Sequence, residues 1–142
     1  MVFLALDVGD RTIGVAASDE LGWTAQPVGT IRRTSLAADL DALAEIVEER
    51  SPGRLIVGLP LNMDDTEGPR AQKTRRFAEK LAERFGLPIV LWDERLTTWE
   101  AERMLREMNV KARRRREVID TAAAVVILKS YLDSGAPEQG IP

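Results

Sequence analysis

The sequence predicts one α/β domain, built on a mixed five-stranded sheet with helices on both faces. Three short apolar segments separated by tight turns come first, a pattern typical of an antiparallel meander. Two more apolar segments then alternate with segments of helical periodicity, as in sheets whose strands are linked by helices. With 142 residues, 44% of them hydrophobic and 30% charged, the chain has the size and composition of one globular domain.

The five strands are predicted from short apolar runs bounded by turn residues. They are expected at residues 3–7, 12–18, 25–31, 54–58 and 88–92. The cluster Asp19–Gly22 marks the turn between the second and third strands. Because the last two strands each follow a helix, they should extend the meander into a mixed sheet.

Four helices are predicted from apolar residues spaced three and four apart. The first follows an N-cap at Ser35, and the second stops at Gly86. A capping box at residues 97–100 predicts a third helix over 98–108. The fourth should cover about 116–132.

The composition excludes several kinds of chemistry. The chain has no Cys and no His, which excludes disulfides, thiolate zinc sites, Cys nucleophiles and histidine bases. Catalysis would therefore depend on carboxylates, hydroxyls, amines or bound cations. The first apolar run is too short for a signal core or a membrane span, so we expect a cytoplasmic protein with no membrane partner.

The basic residues are concentrated in one segment. Five of the 20 basic residues, Lys111 and Arg113, Arg114, Arg115 and Arg116, lie within six positions, although the net charge is −3. The rest of the chain has 15 basic residues against 23 acidic ones. A dense cationic segment on an acidic body is typical of phosphate-backbone contact, and the alternative is a solvated loop with no partner.

Three acidic residues are placed where a charge is costly. Asp7 ends the first apolar strand, Glu94 follows the last strand, and Asp120 lies on the apolar face of the last helix. A divalent cation shared by these acids would compensate for their burial, and Mg²⁺ or Mn²⁺ suits an all-carboxylate site. Each acid also has an ordinary explanation, as a turn residue, a loop cap or a first-turn charge on a helix.

Several neighbours of these acids are weaker candidates. Gly9 and Arg11 lie in a turn that could approach a phosphate, and Arg95 follows the second acid. Further residues that could line a site are Gly58, Asn62, Asp93, Thr97 and Thr98. The same residues also have explanations that need no ligand. They could be hairpin glycines, residues at the exit of a strand, a surface arginine or a helix cap.

Four segments together resemble the YqgF family, the RuvX-type group. They are Leu4–Val15 (LALDVGDRTIGV), Ile56–Met63 (IVGLPLNM), Asp93–Thr98 (DERLTT) and Asp120–Val125 (DTAAAV). The group is known as pre-16S rRNA nucleases and Holliday junction resolvases. The resemblance covers residues 1 to about 134 in order, which implies a single ribonuclease H-like domain. The tail, 135–142, lies outside the match, and its glycines and prolines predict disorder.

The resemblance implies a divalent-metal-dependent nuclease. Its catalytic and metal-binding acids would be Asp7, Glu94 and Asp120, with Asp93 either a ligand or a neighbour of one. The implied substrate is the 5′ end of pre-16S rRNA, with a four-way DNA junction as the alternative, and the protein would be a monomer or a homodimer in the cytoplasm.

Two other functions are consistent with parts of the sequence. The spacing from Asp7 through Gly9 to Gly14 is similar to the first phosphate motif of the sugar kinase, actin and Hsp70 fold, which would indicate an ATP-dependent phosphotransferase. That fold needs two such domains, and one chain of 142 residues is short for them. A nucleic-acid-binding assembly factor without activity is the third possibility, although acids at a polyanion site repel the ligand unless a metal is bound.

Overall fold

The computed structural model describes residues 1–96, 103 and 115–142. The side chains of Leu96 and of residues 115–120 lie outside this description. The predicted helix over 98–108 falls in the undescribed part, apart from Arg103, which is helical. Among the described helices, none is long and apolar enough to cross a membrane.

Five strands form one mixed sheet. They are β1 (Phe3–Val8), β2 (Thr12–Ser18), β3 (Ala25–Arg32), β4 (Arg54–Leu59) and β5 (Ile89–Asp93). The spatial order is β3-β2-β1-β4-β5, with β1, β2 and β3 antiparallel to one another and β4 parallel to both β1 and β5. The predicted meander followed by two helix-linked strands is confirmed, and no predicted strand boundary differs from the observed one by more than one residue.

Two helices cover one face of the sheet. They are α1 (Leu36–Arg50) and α2 (Pro69–Phe85). Alternate residues of β1, Leu4 and Leu6, lie in the core beneath them with Leu43 and Leu81. Removing these side chains from water supplies the main force that holds both helices on the sheet.

The ends of these two helices follow the sequence signals. The hydroxyl of Ser35 accepts a hydrogen bond from the backbone N–H of Ala38 at 3.2 Å, as expected of an N-cap. Helix α2 ends at Gly86, whose φ of 64° lies in the left-handed region that favours glycine.

The last helix covers the opposite face. This helix, α3, spans Arg115–Asp133, and a short 3₁₀ turn, Glu94–Leu96, follows β5. Phe3 and Ala5 of β1 pack against Ile127 and Tyr131 of α3 in a second core. The run of alanines at 122–124 includes two fully covered residues, which lets the helix approach the sheet closely. Helices therefore lie on both faces, as predicted.

The C-terminal tail runs beside β5, the edge strand of the sheet. The backbone N–H of Ile141 donates to the Leu91 carbonyl at 2.8 Å, and the Tyr131 hydroxyl donates to the Pro137 carbonyl at 2.6 Å. These bonds shield part of an edge that would otherwise expose unpaired backbone groups. The division into a domain over 1–134 and a disordered tail stays a prediction, and these contacts argue against disorder in the tail.

Candidate active site

The first candidate acid, Asp7, lies near the carboxyl end of β1 on the face covered by α3. Strand alternation places it on the same face as Phe3 and Ala5, which pack in the core beneath α3. Unlike those two residues, Asp7 is only half-buried, because the strand reaches the edge of the core here. The carboxylate is thus held by a rigid strand at the rim of the sheet.

Glycines flank Asp7 on both neighbouring strands. Gly14 of β2 is in register with Asp7. On β4 the last registered pair is Leu6–Val57, so the next position along, Gly58, adjoins Asp7 on the other side. Neither neighbouring position therefore places a side chain of its own beside the carboxylate.

Gly58 also sets how closely α3 and Glu94 approach the sheet. A methyl group at Gly58 would lie 2.6 Å from Ile127 Cδ1 and 3.8 Å from Glu94 Cβ. The first distance is far below van der Waals contact, so only glycine fits without movement. Whether Gly58 lines a functional site stays a prediction.

Glu94 begins the 3₁₀ turn directly after β5. Val90 and Trp92 face α3, where Trp92 Nε1 donates to Ser130 Oγ at 3.0 Å. The contact of Glu94 with the Gly58 position places its side chain on the same face. The carboxyl ends of parallel strands meet at one edge of a sheet, and Asp7 and Glu94 both lie at that edge.

Residue 120 lies in α3, and its side chain is outside the described residues. The next residue, Thr121, shares a hydrogen bond of 2.7 Å with Thr30 between their Oγ1 atoms. Thr30 is in register with Gly14, and Gly14 with Asp7. Thr121 therefore contacts β3 at a position two strands from Asp7, about 10 Å along the sheet, and residue 120 directly precedes it in α3.

These positions fit a hard divalent cation but do not define its ligands. Two carboxylates at one sheet edge provide the oxygen donors that Mg²⁺ and Mn²⁺ prefer. No group of three acidic side chains that could hold a metal is found among the described side chains, a set that omits Asp120. The three-acid site stays a prediction.

Arg95 and Asp93 are engaged with each other and with a loop. Arg95 Nη2 lies 2.8 Å from Asp93 Oδ2 and 2.7 Å from Asp65 Oδ1, and its Nη1 donates to the Asn62 carbonyl at 2.9 Å. The hydrogen bond from Arg95 holds the pKa of Asp93 below its ordinary value and raises the pKa of Arg95. Arg95 thus joins the end of β5 to the β4–α2 loop, a role that the sequence did not indicate.

The Gly9–Thr12 turn is the hairpin between β1 and β2. The Gly9 N–H donates to the Thr12 carbonyl at 2.9 Å, and the Gly9 carbonyl accepts from Arg33 Nη1 at 2.8 Å. Arg11 is exposed. Whether Arg11 contacts nucleic acid stays a prediction.

The remaining predicted residues lie outside the described side chains. These are Thr97, Thr98, Lys111, Arg113, Arg114, Arg115 and Arg116. The backbone of Arg115 and Arg116 forms the first turn of α3. The basic segment therefore leads directly into the helix that carries Asp120.

Sequence reasoning missed a set of cations along α2. Arg33 is paired with the buried Asp39 at 3.0 Å, and a groove beside them is lined by basic residues of α2. The signal was present in the spacing of Arg70, Lys73 and Lys80 around Phe77, which places them on one side of the helix. It is a weak signal, since exposed helix faces are commonly basic.

The sequence profile of the RuvX family, described as Holliday junction resolvase, matches residues 1–134. The chain belongs to the RuvX family. This confirms the predicted family, and with it the expectation of a hydrolytic enzyme that acts on nucleic acid.

Full-length relatives carry a more specific description. A protein from Myxococcus xanthus is 54% identical over 134 residues, which are 94% of this chain and 89% of the relative. One from Symbiobacterium thermophilum is 56% identical over 131 residues, which are 92% of this chain and 91% of the relative. Both are described as candidate pre-16S rRNA nucleases.

Solved structures of resolvases share the fold of this RuvX-family chain. RuvC from Thermus thermophilus in complex with a Holliday junction superposes with a TM-score of 0.60 at 14% identity, covering 95% of this chain and 97% of RuvC. The fowlpox virus Holliday junction resolvase gives a TM-score of 0.57 at 13% identity, covering 94% and 99%. The predicted ribonuclease H-like fold is confirmed.

Proposed function

We propose that this RuvX-family chain is a divalent-metal-dependent nuclease whose catalytic acids are Asp7, Glu94 and Asp120. One observation carries the proposal: Asp7 lies between two glycines at the sheet edge that also bears Glu94, and the residue after Asp120 bonds to β3 in register with Asp7. A bound Mg²⁺ or Mn²⁺ would polarise the phosphodiester and acidify the attacking water, which suits a chain without His or Cys.

The chain itself supplies rigid placement at this site. Asp7 is fixed by the sheet, and Gly58 admits α3 close enough to bring residue 120 towards it. The carboxylates would orient the cation, and neither Gly14 nor Gly58 would place a side chain of its own against the bound phosphate. Holding the reacting groups in place removes much of the entropic cost of hydrolysis.

Positive charge outside the site would hold the nucleic acid. The basic segment, Lys111 and Arg113–Arg116, adjoins the helix that carries Asp120, and Arg11 is exposed on the neighbouring hairpin. Contacts to the phosphate backbone give affinity and register without reading sequence.

The proposed substrate is the 5′ end of pre-16S rRNA, in the cytoplasm. The printed descriptions of relatives 54% and 56% identical over nearly their full length support this choice. A monomer is sufficient for cutting one strand. The second candidate is a Holliday junction, favoured by the family description, and it would require a homodimer that presents two sites.

One cleavage experiment compares the two substrates. A pre-16S rRNA leader and a four-way DNA junction are incubated with the protein in Mg²⁺ and in Mn²⁺. We expect the leader to be cut, and expect Asp7→Asn, Glu94→Gln and Asp120→Asn each to lower the rate by at least about 100-fold. Asp133→Asn, at the exposed end of α3, is the matched control and should cut normally.

The outcomes separate the candidate functions. Cleavage of the junction but not the leader would favour a resolvase, and a dimer on size-exclusion chromatography would accompany it. Full activity in all three acid variants would show that the metal-site assignment is wrong. Failure to cut either substrate, together with ATP binding by calorimetry, would favour a phosphotransferase instead.

A further inference from the structure

A second charged feature lies away from the sheet edge that carries Asp7 and Glu94. A groove with a volume of about 350 Å³ runs between α2 and the carboxyl end of β1. We call it the α2 groove. Its α2 side carries Arg70, Lys73, Arg76 and Lys80, and its other side is formed by Val8, Gly9 and Asp10, with Arg33 at its base.

Arg33 belongs to the framework of the groove. Its Nε lies 3.0 Å from Asp39 Oδ2, where Asp39 is only 2% exposed, and its Nη1 donates to the Gly9 carbonyl. Its guanidinium also lies 5.0 Å from the centre of the Phe77 ring. These contacts join α2, the start of α1 and the β1–β2 hairpin, so the groove has a fixed base.

The α2 cations are only weakly neutralised. Lys73 Nζ lies 4.0 Å from Asp10 Oδ1, and the two side chains are 65% and 73% exposed, so water screens the pair. Lys80 meets Glu83 at 3.5 Å on the same exposed surface. Within the part of the chain that the structure describes, Arg70 and Arg76 form no ion pair with a carboxylate. The groove therefore carries excess positive charge.

The spacing of the cations matches an extended polyanion better than a single anion. Arg70 and Lys80 are ten residues apart on α2, which corresponds to about 15 Å along a helix. A nucleic acid strand advances about 3.4 Å per phosphate in a duplex, so this length corresponds to about four nucleotides. A mononucleotide or free phosphate would engage only part of the row.

The α2 groove starts beside the sheet edge that carries Asp7 and Glu94. Gly9 and Asp10 are two and three residues beyond Asp7, and Arg70 lies in the first turn of α2, which follows the loop held by Arg95. A strand with its scissile phosphate at Asp7 could cross the sheet edge at Gly9 and continue along α2. This path lies on the sheet face opposite α3.

We infer that the α2 groove binds the sugar-phosphate backbone of the substrate strand beyond the cleavage site, through Arg70, Lys73 and Arg76. This inference rests on the proposed nuclease function. It assigns the flanking strand to α2, in addition to the basic segment at the start of α3.

The first test uses binding rather than cleavage. All proteins carry Asp7→Asn so that the strand stays intact, and binding of a fluorescent 20-nucleotide RNA is measured by anisotropy at several salt concentrations. The groove variant is Arg70→Gln, Lys73→Gln and Arg76→Gln together. The matched control is Arg50→Gln, Arg84→Gln and Lys129→Gln, three exposed cations outside the groove.

We expect the groove variant to bind at least about 10-fold more weakly. Its slope of log affinity against log salt should fall by about 2, since three single-strand contacts contribute about 0.7 each. The control should change affinity less than about 2-fold. Equal affinities and slopes in the two variants would overturn the inference. If the triple variant unfolds, Lys73→Glu alone is compared with Lys129→Glu on the same criteria.

The second test locates the strand directly. Because the chain has no Cys, a photocrosslinker can be attached at one introduced thiol, Lys73→Cys or, as the control, Lys129→Cys. We expect an RNA crosslink at position 73 that excess unlabelled RNA removes and a mononucleotide does not. Equal crosslinking at both positions, or competition by the mononucleotide alone, would contradict the proposed path. Neither test depends on cleavage, so failure of the nuclease proposal is recognised separately.

Discussion

At the residue scale, Arg95 shows how a cation near an active site can be structural. Its guanidinium contacts Asp93, Asp65 and the Asn62 carbonyl, so most of its donors are already used within the chain. These contacts hold the β4–α2 loop against the end of β5, next to Glu94. Whether Arg95 also contacts a phosphate stays a prediction.

The Asp93–Arg95 pair predicts a pH-dependent stability. Arg95 lowers the pKa of Asp93, so the ionised pair stabilises the fold above the ordinary pKa of an aspartate, near 3.9, and this contribution is lost as the pH falls through the lower folded pKa. Asp93→Asn should reduce the free energy of unfolding at pH 7 by about 1 to 2 kcal/mol. Urea denaturation at pH 7 and at pH 2.5 measures the difference.

Two comparisons check this interpretation. The destabilisation by Asp93→Asn should be smaller at pH 2.5 than at pH 7, because a larger fraction of the wild-type carboxylates is protonated at the lower pH. Asp133→Asn, on an exposed helix end, should be neutral at both pH values. A loss of stability in Asp93→Asn that is the same at both pH values would mean that charge pairing with Arg95 is not its cause.

Gly58 offers a second prediction, with a built-in rescue. Gly58→Ala places a methyl group 2.6 Å from Ile127 Cδ1, so the helix must shift or the side chain must move. We expect the free energy of unfolding to fall by about 1 to 3 kcal/mol. The cleavage rate should fall by a larger fraction than the stability, because Asp7 and Glu94, the acids beside Gly58, would be displaced. Thermal denaturation and the cleavage assay measure the two effects.

Ile127→Val removes the atom that the new methyl group would meet. In the Gly58→Ala background it should recover much of the lost stability and activity, although alone it costs about 1 kcal/mol. Strictly additive effects of the two substitutions would show that the close approach of α3 does not depend on this contact.

At the scale of elements, α3 is attached to the sheet at both ends. Near its start Thr121 bonds to Thr30, and near its end Tyr131 accepts from Arg54 at 2.6 Å and donates to the Pro137 carbonyl. The Tyr131 ring is fully buried and meets Phe3 and Trp92 edge to face, at 5.5 Å and 5.4 Å between ring centres. These contacts fix the direction in which α3 crosses the sheet.

Tyr131→Phe tests the far attachment without disturbing packing. It removes one hydroxyl from a buried network and leaves two partners without their bond, so the free energy of unfolding should fall by about 1 to 3 kcal/mol. The cleavage rate should be nearly unchanged, because Arg54 is the first residue of β4 and lies at the other end of the strand from Gly58. A large loss of cleavage with unchanged stability would contradict this separation of roles.

At the scale of the whole molecule, the net charge of −3 combines unlike regions. The sequence has one dense cationic segment directly before α3, and the α2 groove lies on the sheet face opposite α3. Local charge of this kind steers a polyanion more effectively than the total charge does.

Neutralising the basic segment should weaken binding without changing the chemistry. With Lys111 and Arg113–Arg116 changed to Gln, we expect the slope of log affinity against log salt for single-stranded RNA to fall by up to about 3.5. The rate at saturating RNA should change much less. An affinity of the wild-type protein that stays flat from low to moderate salt would exclude this role for the segment.

The sequence by itself determined the order of the elements and the family. Strand alternation, the Ser35 cap and the Gly86 stop are local effects of side-chain patterning and backbone conformation, which do not need a partner across the fold. Four motifs in order were enough to place the chain in its family, because they are distributed along most of the domain, from Leu4 to Val125.

Only the tertiary structure decided what each residue near the site contacts. The pairing of Arg95 with Asp93 and Asp65, the contact of Gly58 with Ile127, and the α2 groove all join residues that are distant in sequence or lie on separate elements. Such contacts depend on how the strands align and how closely the helices pack. A sequence pattern specifies which face a residue occupies, but not the partner that the opposing element brings to it.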